Sequence, residues 1–235
     1  MPKKLNFQIN ENYIHRVEVY EDGSEVYNPK HPLDIFVDSE EASKTYQLEV
    51  YEYAAKLLLD KKKLRVLDIG CGTGTKTLNY FKEQITVGLE IEPTLSRLRD
   101  KYPEENWLES NFEVIPEGHF SLVICADVIE HIINPNLLLD FIEKIDFQYC
   151  VISTPDRSTL RDRIRGIWFP KSRKKTPWSH KIWDKNSGPP RNTSHVREWT
   201  FDEFNSYIGE RFIISEHILC KEPDYFSQLV CIHRS

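Results

Sequence analysis

The chain has 235 residues, 40% hydrophobic and 29% charged, with a formal net charge of −6, a composition that suits a soluble domain with a sizeable core and excludes disordered and fibrous classes. No apolar run approaches the roughly 18 residues that would span a bilayer, and the positive N-terminus has no apolar stretch behind it, so neither a membrane span nor a secretory signal is expected. The five cysteines, Cys71, Cys125, Cys150, Cys220 and Cys231, form no Cys-x-x-Cys pair, which argues against a disulfide framework or thiolate zinc site and fits a cytoplasmic setting.

Residues 1–45 show no sustained hydrophobic period and are expected to form an N-terminal extension. An amphipathic helix is predicted over 46–59. Short runs rich in Val, Ile and Leu at 64–69, 85–90, 120–125 and 147–153 read as strands, each bounded by charge or turn residues. Helical patterns at 76–82, 93–100 and 135–145 separate them, and Pro93 and Pro135 suit a first helical turn. This alternation implies a mainly parallel sheet with helices on both faces.

Residues 156–191 interrupt the pattern. They hold eleven Lys or Arg against three acids, with Trp168, Phe169, Trp178, Trp183 and four prolines; the local net charge is +8, leaving −14 for the rest. The overall acidity speaks against a nucleic-acid-binding surface, but this division restores an anionic partner as an option. Thr200-Phe-Asp-Glu203 is a capping box expected to start a helix reaching about Ile208. Runs at 212–219 and 225–233 are spaced as an antiparallel pair turning at Glu222-Pro-Asp. There is no internal repeat, and one domain spanning 1–235 is expected.

The most informative stretch is Arg65-Val-Leu-Asp-Ile-Gly-Cys-Gly-Thr-Gly-Thr75, where a buried strand enters a glycine-rich turn and then a helix, so that backbone can approach a ligand closely. A dinucleotide fingerprint needs a third glycine where Thr75 stands, and a phosphate-cradling loop needs Gly-Lys-Ser/Thr, which is absent. Asp-x-Gly-x-Gly-x-Gly closely resembles motif I of the class I S-adenosylmethionine-dependent methyltransferases. The resemblance implies a Rossmann-like α/β fold: a seven-stranded, mainly parallel sheet with one antiparallel strand.

It also implies that the turn of Gly70, Cys71, Gly72 and Gly74 passes beneath the cofactor and that Asp68 holds its ammonium group. Glu90, 20 residues after Gly70 at the end of the next strand, offers two acceptor oxygens to the ribose hydroxyls. In the third-strand stretch, Asn111 stands where the family often has an adenine-contacting Asp; Ser110 or a backbone amide could serve instead.

Cys125-Ala-Asp127-Val-Ile-Glu130-His131 resembles the Asp/Glu-x-x-Glu-His segment of the small-molecule branch of these enzymes, and Ser194-His195-Val-Arg-Glu-Trp199-Thr matches their His-x-x-Glu-Trp/Phe-Thr run. Helical spacing would set Asp127, Glu130 and His131 on one face. Methyl transfer to a hydroxyl needs a group to take its proton, and His131 is expected to be that general base, with Glu130 or Asp127 orienting it, His195 lining the acceptor pocket and Asp127 in the cofactor set; the alternative is that Glu130 and His131 only cap and hydrogen-bond the loop. No metal is assigned. The same Asp127, Glu130, His131 and His195 also resemble the divalent-metal ligands of methyltransferases that modify the terminal ribose of small RNAs, an alternative that stays open.

The basic aromatic segment is expected to form a lid over an anionic acceptor, either a nucleotide-linked sugar or other phosphorylated metabolite, or a surface glycan; a homodimer contact against the acidic remainder is the other use of its charge. The resemblance thus implies S-adenosylmethionine-dependent O-methylation of a small anionic or sugar-containing acceptor, in polysaccharide biosynthesis. RNA-end methylation and a cofactor-binding subunit without turnover are the alternatives.

Overall fold

The computed structural model describes residues 45–59, 61–92, 94–110, 112–132, 134–157, 195, 197–221 and 226–234, together with the backbone of 17–19 and 25–27. Within the N-terminal extension, β1 (Val17–Val19) and β2 (Glu25–Tyr27) pair antiparallel. Strands of three residues are too short to print a period on the sequence, so this ladder escaped the pattern reading.

The main body follows in chain order. It comprises α1 (Leu48–Lys56), β3 (Arg65–Ile69), α2 (Thr75–Tyr80), β4 (Ile85–Glu90), α3 (Thr94–Lys101) and β5 (Asn106–Glu109). After these come β6 (Phe120–Ala126), α4 (Pro135–Lys144), β7 (Phe147–Pro155), α5 (Phe201–Gly209), β8 (Ile214–Leu219) and β9 (Ser227–His233). The strands form a seven-stranded sheet in the order β5-β4-β3-β6-β7-β9-β8. Neighbours from β5 to β7 are parallel, while β9 runs antiparallel to both β7 and β8, so a single strand is reversed, as expected.

Side-chain alternation along the strands divides the core between two faces. Val66, Leu122, Ile124, Val151 and Cys231 pack with Val50, Tyr51 and Ala54 of α1. Leu67, Val123, Cys150, Ile152 and Val230 point the other way, against Leu138, Phe141 and Ile142 of α4 and Phe204 and Ile208 of α5. Each fully buried Leu, Ile or Phe contributes roughly 1.5–3 kcal/mol, so both helical layers are held by burial and their short lengths suffice. Local signals set the helix ends. Asn134 accepts from the Asn136 N–H at 3.2 Å ahead of Pro135, and Thr200 and Glu203 form the expected capping box.

No helix among the described residues is long and apolar enough to cross a membrane. The consequence of the topology for function is one of direction. Strand order reverses on either side of β3, and the carboxyl ends of β3, β4, β6 and β7 share one edge, where open α/β sheets bind ligands.

Candidate functional site

The glycine turn leaves β3 at that edge. Gly70, Gly72 and Gly74 have φ of 72°, 56° and 72°, in the left-handed region. At Gly70 a Cβ would also meet Val128 Cγ2 at 2.4 Å, so the turn after β3 lies in contact with the turn after β6. Gly88, in the middle of β4, answers a different need: a Cβ there would meet the Trp107 ring at 2.4 Å. Cys71 packs with Leu95, Leu98 and Trp107, and burial, reinforced by the charges of Asp68 and Glu90, pushes its thiol well above the ordinary range. It is an inert wall of the turn, not a nucleophile.

Asp68 is fully buried. Its Oδ2 accepts from Tyr51 Oη at 2.9 Å and Thr77 Oγ1 at 2.5 Å, whereas Oδ1 has no hydrogen-bond partner. Burial raises this carboxyl from its ordinary 3.8 to about 6, against the opposing pull of Thr77, Tyr51 and the nearby Lys76. One edge over, Glu90 ends β4 in a buried position, and its backbone carbonyl accepts from the Ser110 N–H at 2.8 Å. Ser110 Oγ is buried without a hydrogen-bond partner. Asn111 lies outside the described residues.

After β6 the chain does not form the helix that the spacing suggested. Asp127 adopts φ 53°, and a single 3-10 turn follows at Ile129–His131. The Asp127 carboxylate accepts from Ser153 Oγ at 2.6 Å and Ser227 Oγ at 3.1 Å, hydroxyls of β7 and β9. These bonds hold the non-glycine residue in a conformation that costs of order 1–3 kcal/mol. Asp127 therefore anchors the turn to the sheet.

Glu130 and His131 come forward with His195. One ligand atom from each lies within 4.8 Å of the others, and all three residues are buried. Glu130 Oε2 accepts from Thr154 Oγ1 at 3.1 Å; Oε1 has no hydrogen bond and stands 3.7 Å from His131 Nε2. Burial raises the Glu130 carboxyl well above the usual range, and the charge of Asp127 adds to the effect. The His131 and His195 rings meet edge to face with centroids 5.1 Å apart. His195 Nδ1 is 3.0 Å from Glu198 Oε1, and Glu198 Oε2 is 3.8 Å from Arg157 Nη1.

The sequence-derived residues thus separate into two adjoining groups. Asp68, the glycine turn and Glu90 line the ends of β3 and β4; Glu130, His131 and His195 cluster beyond β6. Asp68 Oδ1, Ser110 Oγ and Glu130 Oε1 are buried polar atoms with no hydrogen-bond partner in the structure. Pattern reading left out Lys76, Ser153, Ser227 and Glu198; the His195-x-x-Glu198 spacing was the one available signal for Glu198. Arg157 opens the basic segment, yet its guanidinium is directed at Glu198. The rest of that segment, from 158 to 191, lies outside the described residues.

Comparison with known proteins bears on the family and the fold. Residues 40–206 match the family model described as a methyltransferase domain. The chain is 28% identical over 145 residues to the ubiquinone biosynthesis O-methyltransferase of Rickettsia conorii, covering 54% of this chain and 50% of that protein, so it spans about half the length of that curated relative. The magnesium protoporphyrin IX methyltransferase of Synechocystis PCC 6803 with bound S-adenosylhomocysteine superposes with a TM-score of 0.56 at 15% identity, covering 80% of this chain and 83% of that one. The N-methyltransferase NodS of Bradyrhizobium japonicum WM9, in complex with S-adenosylhomocysteine, gives 0.56 at 13% identity over 84% and 92%. At these identities the structural likeness establishes the fold.

Proposed function

The chain belongs to the methyltransferase-domain family, and from that premise we propose that it transfers the methyl group of S-adenosylmethionine to an oxygen of a small anionic or sugar-containing acceptor. The observation that carries the acceptor side is the buried Glu130–His131–His195 cluster beside the glycine turn. Asp68 Oδ1, lacking a hydrogen bond, suits the cofactor's ammonium group, and the Glu90 carboxylate suits the ribose hydroxyls. Gly70, Cys71, Gly72 and Gly74 form the floor, and Ser110 or Asn111 takes the adenine edge.

Methyl transfer is an in-line displacement in which the acceptor hydroxyl attacks the methyl carbon as its proton leaves. His131 is the base that takes this proton, Glu130 orients it, and His195 lines the acceptor pocket. The basic segment is a lid whose cations hold the acceptor's negative charge, and a cytoplasmic location fits the five buried free cysteines.

The test is to incubate the protein with isotope-labelled cofactor and a panel of nucleotide sugars, phosphorylated metabolites and glycans, and to identify the product by mass spectrometry. On the acceptor found, His131→Ala is expected to lower kcat on the order of 10²–10⁴-fold with cofactor affinity unchanged. Near-full turnover by that variant would remove His131 from the chemistry. Neutralising Arg161, Arg163 and Arg165 should raise the acceptor KM far more than the cofactor's.

One observation favours a second reading. A carboxylate and two imidazoles within 4.8 Å, with Glu130 Oε1 unsatisfied, fit a divalent cation, as metal-dependent methylation of an RNA-end ribose would require. Asp127 is not in this group, because Ser153 and Ser227 engage its carboxylate. A bound cation would supply Lewis-acid polarisation of the acceptor hydroxyl. Full activity after exhaustive chelation would exclude this reading.

A further inference from the structure

We propose that Glu198, braced by Arg157, is a positioning residue that fixes the ring orientation and tautomer of His195; the inference rests on the acceptor role given to the cluster above. The backbone places Glu198 with little freedom. Trp199 forms a β-bridge with Asp156, and the Arg157 N–H donates to the Trp199 carbonyl at 2.9 Å, so the segment carrying Glu198 is tied to the end of β7. From the same strand end the Arg157 guanidinium approaches Glu198 Oε2 at 3.8 Å. The carboxylate is 2% exposed as a residue, so its charge is compensated by protein and not by water.

An ionised carboxylate can only accept, so the 3.0 Å contact between Glu198 Oε1 and His195 Nδ1 requires the hydrogen on Nδ1. The neutral ring then carries its lone pair on Nε2, the nitrogen that does not face Glu198. In this form His195 can receive a hydrogen bond from a second hydroxyl of the acceptor, the reacting hydroxyl giving its proton to His131; in the opposite tautomer Nε2 could only donate. Arg157 acts one contact further out, holding the carboxylate in place, and so serves the site from within even though the sequence groups it with the lid cations.

The test uses the full chain labelled with ¹⁵N-histidine and a two-bond ¹H–¹⁵N correlation spectrum recorded above neutral pH, with the His195 signals assigned by their loss in His195→Gln. The wild-type ring is expected to carry hydrogen on Nδ1. In Glu198→Gln, whose amide can donate to Nδ1, the Nε2–H form should become populated, and Glu198→Asp should restore the wild-type pattern. A wild-type ring protonated on Nε2, or a tautomer unchanged in Glu198→Gln, overturns the proposal. If Glu198→Gln fails to fold, the wild-type spectrum alone decides.

Turnover then separates this inference from the functional reading. With the acceptor identified above, Glu198→Gln should lose on the order of 10²-fold in kcat while cofactor affinity stays within about twofold. A tautomer that shifts without loss of methyl transfer supports the positioning of His195 and overturns its place in the reaction.

Discussion

Replacing Gly70 by alanine tests whether the glycine turn and the turn carrying Glu130 and His131 are packed against each other as a unit. Two costs add. At φ 72° an L-residue pays about 1–2 kcal/mol for the left-handed conformation. The new Cβ would stand 2.4 Å from Val128 Cγ2, and Val128 is β-branched and buried, so it cannot swing aside through a free χ1; overpacking of this kind costs about 1–3 kcal/mol. The sum is about 2–5 kcal/mol of stability. The assay is urea unfolding without cofactor, run on Gly70→Ala, Val128→Ala and the double variant. Removing the Val128 methyl groups should relieve the clash but not the backbone strain. The double variant is therefore expected to be more stable than the sum of the single losses allows by about 1–3 kcal/mol, with the residual strain remaining. Additive losses within about 0.5 kcal/mol would show that the two turns do not meet at Gly70 and would refute the reasoning.

Three further residues give outcomes that can be measured. Asp68 is an acid whose carboxyl rises on folding from 3.8 to about 6, so between these values the folded chain holds a proton that the unfolded chain has lost. Stability of the cofactor-free protein should then fall as pH rises through that window, by about 3 kcal/mol in all, and Asp68→Asn should flatten the dependence in urea titrations. The same variant should weaken S-adenosylmethionine in calorimetry, and unaltered affinity would deny Asp68 the ammonium. Ser110→Ala removes a buried hydroxyl that has no hydrogen-bond partner, so it should leave stability nearly unchanged but weaken cofactor binding roughly fivefold, about 1 kcal/mol. Thr200→Ala removes the hydroxyl that accepts from the Glu203 N–H but keeps the backbone N–H that donates to the Glu203 carboxylate; it should cost about 1 kcal/mol in thermal or urea unfolding, whereas Thr200→Ser should cost little.

What the sequence by itself determined is what depends on near neighbours. The strand–glycine–helix passage from Arg65 to Thr75 is legible because positive φ at Gly70, Gly72 and Gly74 is a property of single residues. The capping box at Thr200 and Glu203, the strand ends presenting Asp68 and Glu90, and the closing antiparallel pair are local in the same sense.

The tertiary structure decided what depends on partners brought from afar. Asp127 falls at helical spacing from Glu130 and His131, yet its carboxylate turns to Ser227, a hundred residues away on β9, because the topology puts that hydroxyl beside it. Gly88 gives no signal in its own stretch; the Trp107 ring from β5 explains it. Arg157 reads as one of eleven cations in a basic run, and only the bridge that joins Asp156 to Trp199 brings it to Glu198. A charge in a sequence has no direction. Once burial removes water from around it, it must find a counter-charge within a few ångströms, and the fold alone determines which one is there.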